Sequence, residues 1–323
     1  MAAIGLGNPL GNPLARQAST QISADSFYAN TWTSQTGSGS RGWRSICISE
    51  DGMKLAAGTT GSNIYTSTDG GITWTSQAGS LSDRYDLMAC SSDGSKIVAA
   101  RNASYPYLST DSGVTWNALT GIGVTASGAW NGLCMSEDGQ FIGLCDNNTS
   151  FYYSTDGGTN WTTRTVTGST NVASVSCNST GSSIACIEGS ATGKVYISTN
   201  SGTSFSAATV PEASAGRCIA TDGTKIVAGY VNGNTYISLD FGTSWKITGI
   251  RGQVYVFTST DRSLFCFSGT DAGAGCCITP IGGDIWAWVS ANTTFNGTTP
   301  FQAAISATKV AVACDTGYIY TSP

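Results

Sequence analysis

Tyr65-Thr66-Ser67-Thr68-Asp69-Gly70-Gly71-Ile72-Thr73-Trp74 is a stretch that returns about every forty residues down the chain. Written as Ser-x-Asp-x-Gly-x-Thr-Trp, it comes back as Ser109 to Trp116, Ser154 to Trp161, Ser198 to Phe205 and Ser238 to Trp245. A sixth copy, Thr279 to Trp286, keeps the frame and the Gly282-Gly283 pair. A period of this length marks an array in which no unit buries its own apolar face, so the copies belong to one body. Between the boxes lies a second element: an apolar strand, a Ser-x-Asp-Gly turn and another apolar strand. Clear copies run Ile46 to Ala57, Met88 to Ala99 and Leu133 to Leu144. Weaker ones run Val175 to Ile187, Cys218 to Gly229, Val256 to Phe267 and Ala303 to Cys314, which makes seven. Asp-Gly between apolar runs is a strong hairpin signal, so each repeat reads as four antiparallel strands.

The two ends of the array complete each other. Thr31-Trp32-Thr33-Ser34-Gln35 matches the closing strand Thr73-Trp74-Thr75-Ser76-Gln77 with no box before it. Tyr318-Ile319-Tyr320-Thr321-Ser322 matches the strand that enters a box, and only Pro323 follows. A ring closes without a free edge when the first strand pairs into the last unit. Trp32, Trp74, Trp116, Trp161, Trp245 and Trp286, with Phe205 in one place, fall 40 to 45 residues apart. The expected fold is all-β, a seven-bladed β-propeller of four-stranded blades over residues 30–323, its last blade completed by residues 30–36. Residues 1–29 stand outside it as an extended arm carrying a doubled Gly-Asn-Pro-Leu, Gly7 to Leu14. Proline this dense forbids ladder pairing; the arm reads either as a floppy tail or as a strap that orders on a partner.

Composition narrows the function. A net charge of -5 and the lack of histidine argue against a general nucleic-acid partner, which needs concentrated Lys and Arg. No run of 18 apolar residues and no basic start before an apolar stretch is present. The expectation is therefore no membrane span, no signal peptide, and a cytoplasmic or particle-associated chain. Most of the eleven cysteines sit in apolar strand patterns, among them Cys47, Cys90, Cys134, Cys177, Cys186, Cys218, Cys266 and Cys314. They read as reduced, small, buried hydrophobes. Without a C-x-x-C pair or histidine, no metal and no cofactor is expected; adjacent Cys276 and Cys277 are the pair that stands out.

The boxes resemble those of the Asp-box, or BNR-repeat, β-propellers, which include sialidases, other glycan-cleaving enzymes, sortilin-like receptors and photosystem II stability/assembly factors of the Ycf48 type. The resemblance covers residues 30–323 and implies a fold, because the box is a folding device shared by members with different jobs. In it Ser and Asp hold the turn, Gly takes the positive φ and Trp fills the gap between blades. Asp69, Asp111, Asp156 and Asp240, with Trp74, Trp116, Trp161 and Trp245, are accordingly structural. Sialidases pair such boxes with six blades, an arginine triad, an Arg-Ile-Pro motif, a tyrosine nucleophile with its Glu, and an Asp acid. This chain has seven repeats and no Arg-Ile-Pro, so no enzyme is expected. Of the glutamates only Glu188 and Glu212 fall near the end of the blades opposite the boxes, and two-carboxylate glycosidase chemistry would have to draw on Asp83, Asp86, Asp146, Glu188 or Asp271.

The Asp-Gly turns and the boxes fall at one end of each blade. The other end carries the loops between second and third strands and the blade-to-blade connections. Six of the nine arginines map there: Arg41, Arg44, Arg84, Arg101, Arg217 and Arg251. Aromatic residues recur nine positions before the turn glycine, as Trp43, Tyr85 and Trp130. Arg and aromatic groups together suit binding hot spots and stacking on sugars. The other reading of these rings is that they plug the channel or pack between blades. The expected function is a non-catalytic interaction or structural propeller, a component or assembly factor of a larger complex or particle such as a virion, tethered by the arm. A lectin-like glycan-binding module on the same face is the alternative, and a glycoside hydrolase the third.

Overall fold

The computed structural model describes residues 33–80, 83–101, 104–121, 123, 129–212, 214–251, 254–258, 264–269, 275–280, 287–290, 300–306, 309–314 and 317–321, with backbone alone from 249 to 301. The arm of residues 1–29, Trp32, Trp286, Asp271 and the turns at Asp261 and Thr308 lie outside the described residues. So do the side chains of Arg251, Cys266, Cys276 and Cys277.

Four-stranded antiparallel sheets recur along the chain, their strands ordered in space as in sequence. The innermost strands are Trp43–Ile48, Asp83–Cys90, Trp130–Met135, Val172–Cys177, Gly216–Thr221, Val254–Thr258 and Pro300–Ile305. Among the described residues this gives a β-propeller of seven blades, with consecutive innermost strands adjacent and Pro300–Ile305 beside Trp43–Ile48. Blades one and two share a ladder. Leu55–Ser62 overshoots its own blade, and its end pairs with the next one, Thr60 opposite Arg84 and Ser62 opposite Asp83. The helical turn Thr36–Ser38 is the only helix among the described residues, and none is long and apolar enough to cross a membrane.

Successive side chains of a strand point to opposite faces, and each blade is sandwiched between two others, so both faces of the inner strands are apolar. The cores accordingly lie between blades. Trp43, Ile46, Ala57 and Trp74 of blade one meet Ala304, Ala311, Ala313 and Ile319 of blade seven. Cys47, Ala56 and Ile64 of blade one meet Tyr85, Met88 and Trp116 of blade two.

The seam is closed by hydrogen bonds from both ends of the repeat array. Thr33–Gln35 adds the outermost strand to the seventh blade, Thr33 opposite Thr321, Ser34 opposite Tyr320 and Gln35 opposite Ile319. Gln35 Nε2 donates to Thr321 Oγ1 at 2.6 Å, and Gln302 Oε1 of blade seven accepts the Ile46 N–H at 2.8 Å.

At the lower end each box is tied to the Asp-Gly turn of its own blade. The N–H groups of Gly70, Ser112, Gly157, Ser201 and Phe241 donate to the carbonyls of Met53, Ser95, Gln140, Ser182 and Thr224 at 2.7–3.0 Å. The turns are also linked from blade to blade: Glu50 N–H donates to Ser92 O, Ser92 N–H to Glu137 O, and Glu137 N–H to Ser179 O, at 2.7–2.8 Å.

Candidate functional site

The upper end, opposite the boxes, is held by one recurring position. Thr59, Arg101, Asp146, Glu188 and Tyr230 are the last second-strand residues paired within their own blades, opposite Trp43, Tyr85, Trp130, Val172 and Gly216. The side chains differ, yet each ties an upper loop. Thr59 Oγ1 accepts the Ser62 N–H at 3.0 Å, and Tyr230 OH donates to Gly193 O at 2.9 Å. Arg101 Nη1 pairs with Asp83, and its Nη2 donates to Ser104 Oγ at 2.6 Å. Asp146 accepts from the Asn148 N–H, the Asn148 amide and the Tyr152 hydroxyl at 3.0–3.2 Å.

Glu188, 1% exposed, accepts the Thr170 N–H at 2.7 Å, the Thr170 hydroxyl at 2.8 Å and the Thr192 hydroxyl. Burial works to raise its carboxyl, but the hydroxyls of Thr192 and Thr170 and the Thr170 N–H outweigh it, leaving Glu188 below the usual range. Glu212 similarly accepts from Ser214 Oγ and the Asn234 N–H. Asp86 is bound by Arg84 Nε at 2.8 Å. A general acid needs the opposite shift, a carboxyl raised toward neutrality. The carboxylates described here are engaged in holding loops or an arginine.

The predicted rim arginines separate into two sets. Arg84 and Arg217 line the central channel, while Arg41 and Arg101 are tied to the loops. The Arg41 guanidinium lies 4.4 Å over the Tyr65 ring and donates to Ser38 O, and Arg101 lies 5.4 Å over Tyr107. Arg44 stands next to the buried Trp43; Arg251 closes the outer strand of blade five.

The aromatic face expected at Trp43, Tyr85 and Trp130 is corrected by their burial: 0%, 0% and 6% exposed, respectively. Trp43 packs edge-on to Tyr65 and tilted on Trp74, and Trp130 packs edge-on to Tyr152 while its Nε1 donates to Ser104 O at 2.8 Å. Strand alternation turns these rings between blades, so they offer no platform for stacking on a sugar. The residue after this register position, aromatic or not, is the informative one. Arg44, Asp86, Asn131, Ala173, Arg217 and Phe301 each fall where the ladder slips by one residue, a bulge repeated in six innermost strands. A bulge re-aims side chains at a barrel or propeller rim.

The channel has a volume of about 760 Å³. Its upper polar lining includes Arg84, Asp86, Asn131, Asn147, Asn171 and Arg217, and its waist is built by Ile46, Met88, Leu133, Val175 and Ile219. Asn131 Nδ2 donates to Asn147 Oδ1 at 3.0 Å and to Val172 O at 3.2 Å, joining blades three and four. None of the amides was expected from the sequence. For Asn131 the signal is its position directly after Trp130. Among the described residues no cluster of three or more Cys, Asp or Glu is set to hold a metal ion.

The BNR/Asp-box repeat model matches residues 65–76 and 152–163. No curated protein matches the chain in sequence. In structure the chain is similar to an ancestral GH74 enzyme, with 14% identity, a TM-score of 0.68, and 91% of this chain covering 46% of that one. It thus spans about half the length of that enzyme. YCF48 bound to D1 peptide is similar at 13% identity and a TM-score of 0.66, covering 96% of this chain and 99% of that one. The WD40 repeats of RRP9 are similar at 11% identity and a TM-score of 0.67, covering 91% and 97%. At such identities the likeness is one of fold, and in fold the chain is a β-propeller built on BNR/Asp-box repeats that resembles YCF48.

Proposed function

We propose that the chain is a non-catalytic protein-interaction propeller, a component or assembly factor of a larger complex or particle, with its upper rim as docking surface and residues 1–29 as tether. The observation that supports this reading is the commitment of the upper carboxylates. Asp146, Glu188 and Glu212 hold loops, and Asp86 is paired with Arg84, so the rim is a fixed polar surface around an apolar well. Fixing such groups before binding lowers the cost of association. YCF48, similar in fold, is bound to a D1 peptide in the structure it matches.

The test compares the full chain, a chain lacking residues 1–25, and Arg84→Ala/Arg217→Ala as immobilised baits for partners from the cells or particles that contain it. Both altered forms should retain at least about tenfold less of a partner held by the intact chain, the scale of hot-spot truncations, with a melting temperature near the original. Equal retention by all three overturns the reading. So does turnover of a fluorogenic glycoside that is lost in Glu188→Gln.

A further inference from the structure

Two thiols in the wall between blades one and two take no part in the rim. Cys47 lies on Trp43–Ile48 and belongs to the apolar cluster that joins the two blades, and Cys90, on Asp83–Cys90, packs against that cluster. The two side chains border one small cavity between the blades. Cys90 Sγ also donates to the carbonyl of Ile48, the residue after Cys47, at 3.3 Å. Both border the channel, but their exposure differs: Cys47 is 6% exposed, whereas Cys90 is half-buried. Cys145 and Cys186, by contrast, are fully buried.

We propose that Cys47 and Cys90 form a modification site, a dithiol that reacts with a low-molecular-weight disulfide entering the channel and closes into a disulfide between blades one and two. Oxidised glutathione is the model reagent. Cys90, reached from the channel, attacks one glutathione sulfur as its thiolate; a protein–glutathione S–S bond forms, the reagent's S–S bond breaks, and one glutathione thiolate leaves. Cys47 then gives up its proton and attacks the Cys90 sulfur, expelling the second glutathione. The two protein protons end on the two glutathione thiols, and the two electrons released by the protein sulfurs reduce the reagent. The Cys90 side chain, and then burial, push the Cys47 thiol up. A thiol of that kind is a poor first nucleophile, which makes Cys90 the attacking group and Cys47 the resolving one. The link would reinforce a joint that already shares the Thr60–Arg84 ladder at its upper end.

Native full-length chain is incubated with oxidised glutathione, quenched with acid, alkylated after unfolding and mapped by mass spectrometry. The expected product joins the Cys47 and Cys90 peptides, is about 2 Da lighter than the dithiol form, and reverts with dithiothreitol. Cys47→Ser should accumulate the glutathione adduct at Cys90, and Cys90→Ser should form neither adduct nor link. An unreactive native chain overturns the proposal, as does a stable adduct at Cys90 in the original chain or a link between other cysteines. The map of the original chain decides the matter even where a variant fails to fold.

Discussion

Asp156 shows what a box carboxylate does. Its Oδ1 accepts from Ser154 Oγ and from the Thr159 and Asn160 N–H groups, and its Oδ2 from Asn160 Nδ2, at 2.6–3.1 Å. These bonds, the Asn160 N–H first, hold its carboxyl at about 2. Asp240 is brought to about 2 chiefly by the Ser244 hydroxyl, and Asp93 in an Asp-Gly turn to about 2 chiefly by the Ser91 hydroxyl. Such groups are more acidic in the folded chain than unfolded, where the ordinary value is 3.8. Their stabilisation is therefore present above about pH 4 and lost as pH falls toward 2. The melting temperature should drop across that window. In Asp240→Asn the drop should shrink at little cost near neutrality; an unchanged pH profile would contradict this role. The fourth box already uses Asn200, whose Oδ1 accepts the Ser204 N–H at 3.0 Å while Nδ2 donates to Ser204 Oγ at 2.8 Å. The adjacent position is left-handed, with φ of 74° at Gly70, 70° at Gly157, and 55° at Ser201. A side chain there is strained, so Ser201→Gly should raise stability by up to about 1 kcal/mol in urea unfolding; a loss of that size would contradict the reading.

Among the elements, the upper loops depend on the end of the second strand. Glu188→Ala leaves the Thr170 N–H and two hydroxyls without their buried acceptor, and should cost about 2–4 kcal/mol of unfolding free energy. Glu188→Gln keeps an acceptor and should cost clearly less; equal losses would show that packing, not hydrogen bonding, holds the loop. Hairpins were legible in the sequence because Asp-Gly dictates a turn and its flanks are apolar. The upper rim was legible only in part. Trp43, Tyr85 and Trp130 mark the right height on the innermost strands, but the chemistry lies one residue further on, at Asp86 and Asn131, and at Arg217 after Gly216 in the same register. A bulge is a property of two paired strands, and neither strand's own pattern reveals it. Clamping was hidden for a different reason: Thr59, Arg101, Asp146, Glu188 and Tyr230 share a register without sharing a chemistry, so no motif repeats.

At the scale of the molecule, the seam is where a repeat array becomes a ring. Thr33–Gln35 and Ile319–Thr321 were recognisable as complementary fragments, and they pair as neighbouring strands of blade seven. The apolar cluster between blades seven and one, with Trp43 and Trp74 against Ala311 and Ile319, makes that joint resemble the joints between other blades. Fold was therefore readable from the boxes alone, while function was not, because the boxes sit at the end of the molecule away from the rim. Cysteine cross-linking in Thr33→Cys/Thr321→Cys tests the closed ring most directly. Mild oxidation should join these two peptides within a single monomer and raise its melting temperature. A pair that stays reduced, or that links only separate chains, would contradict the ring.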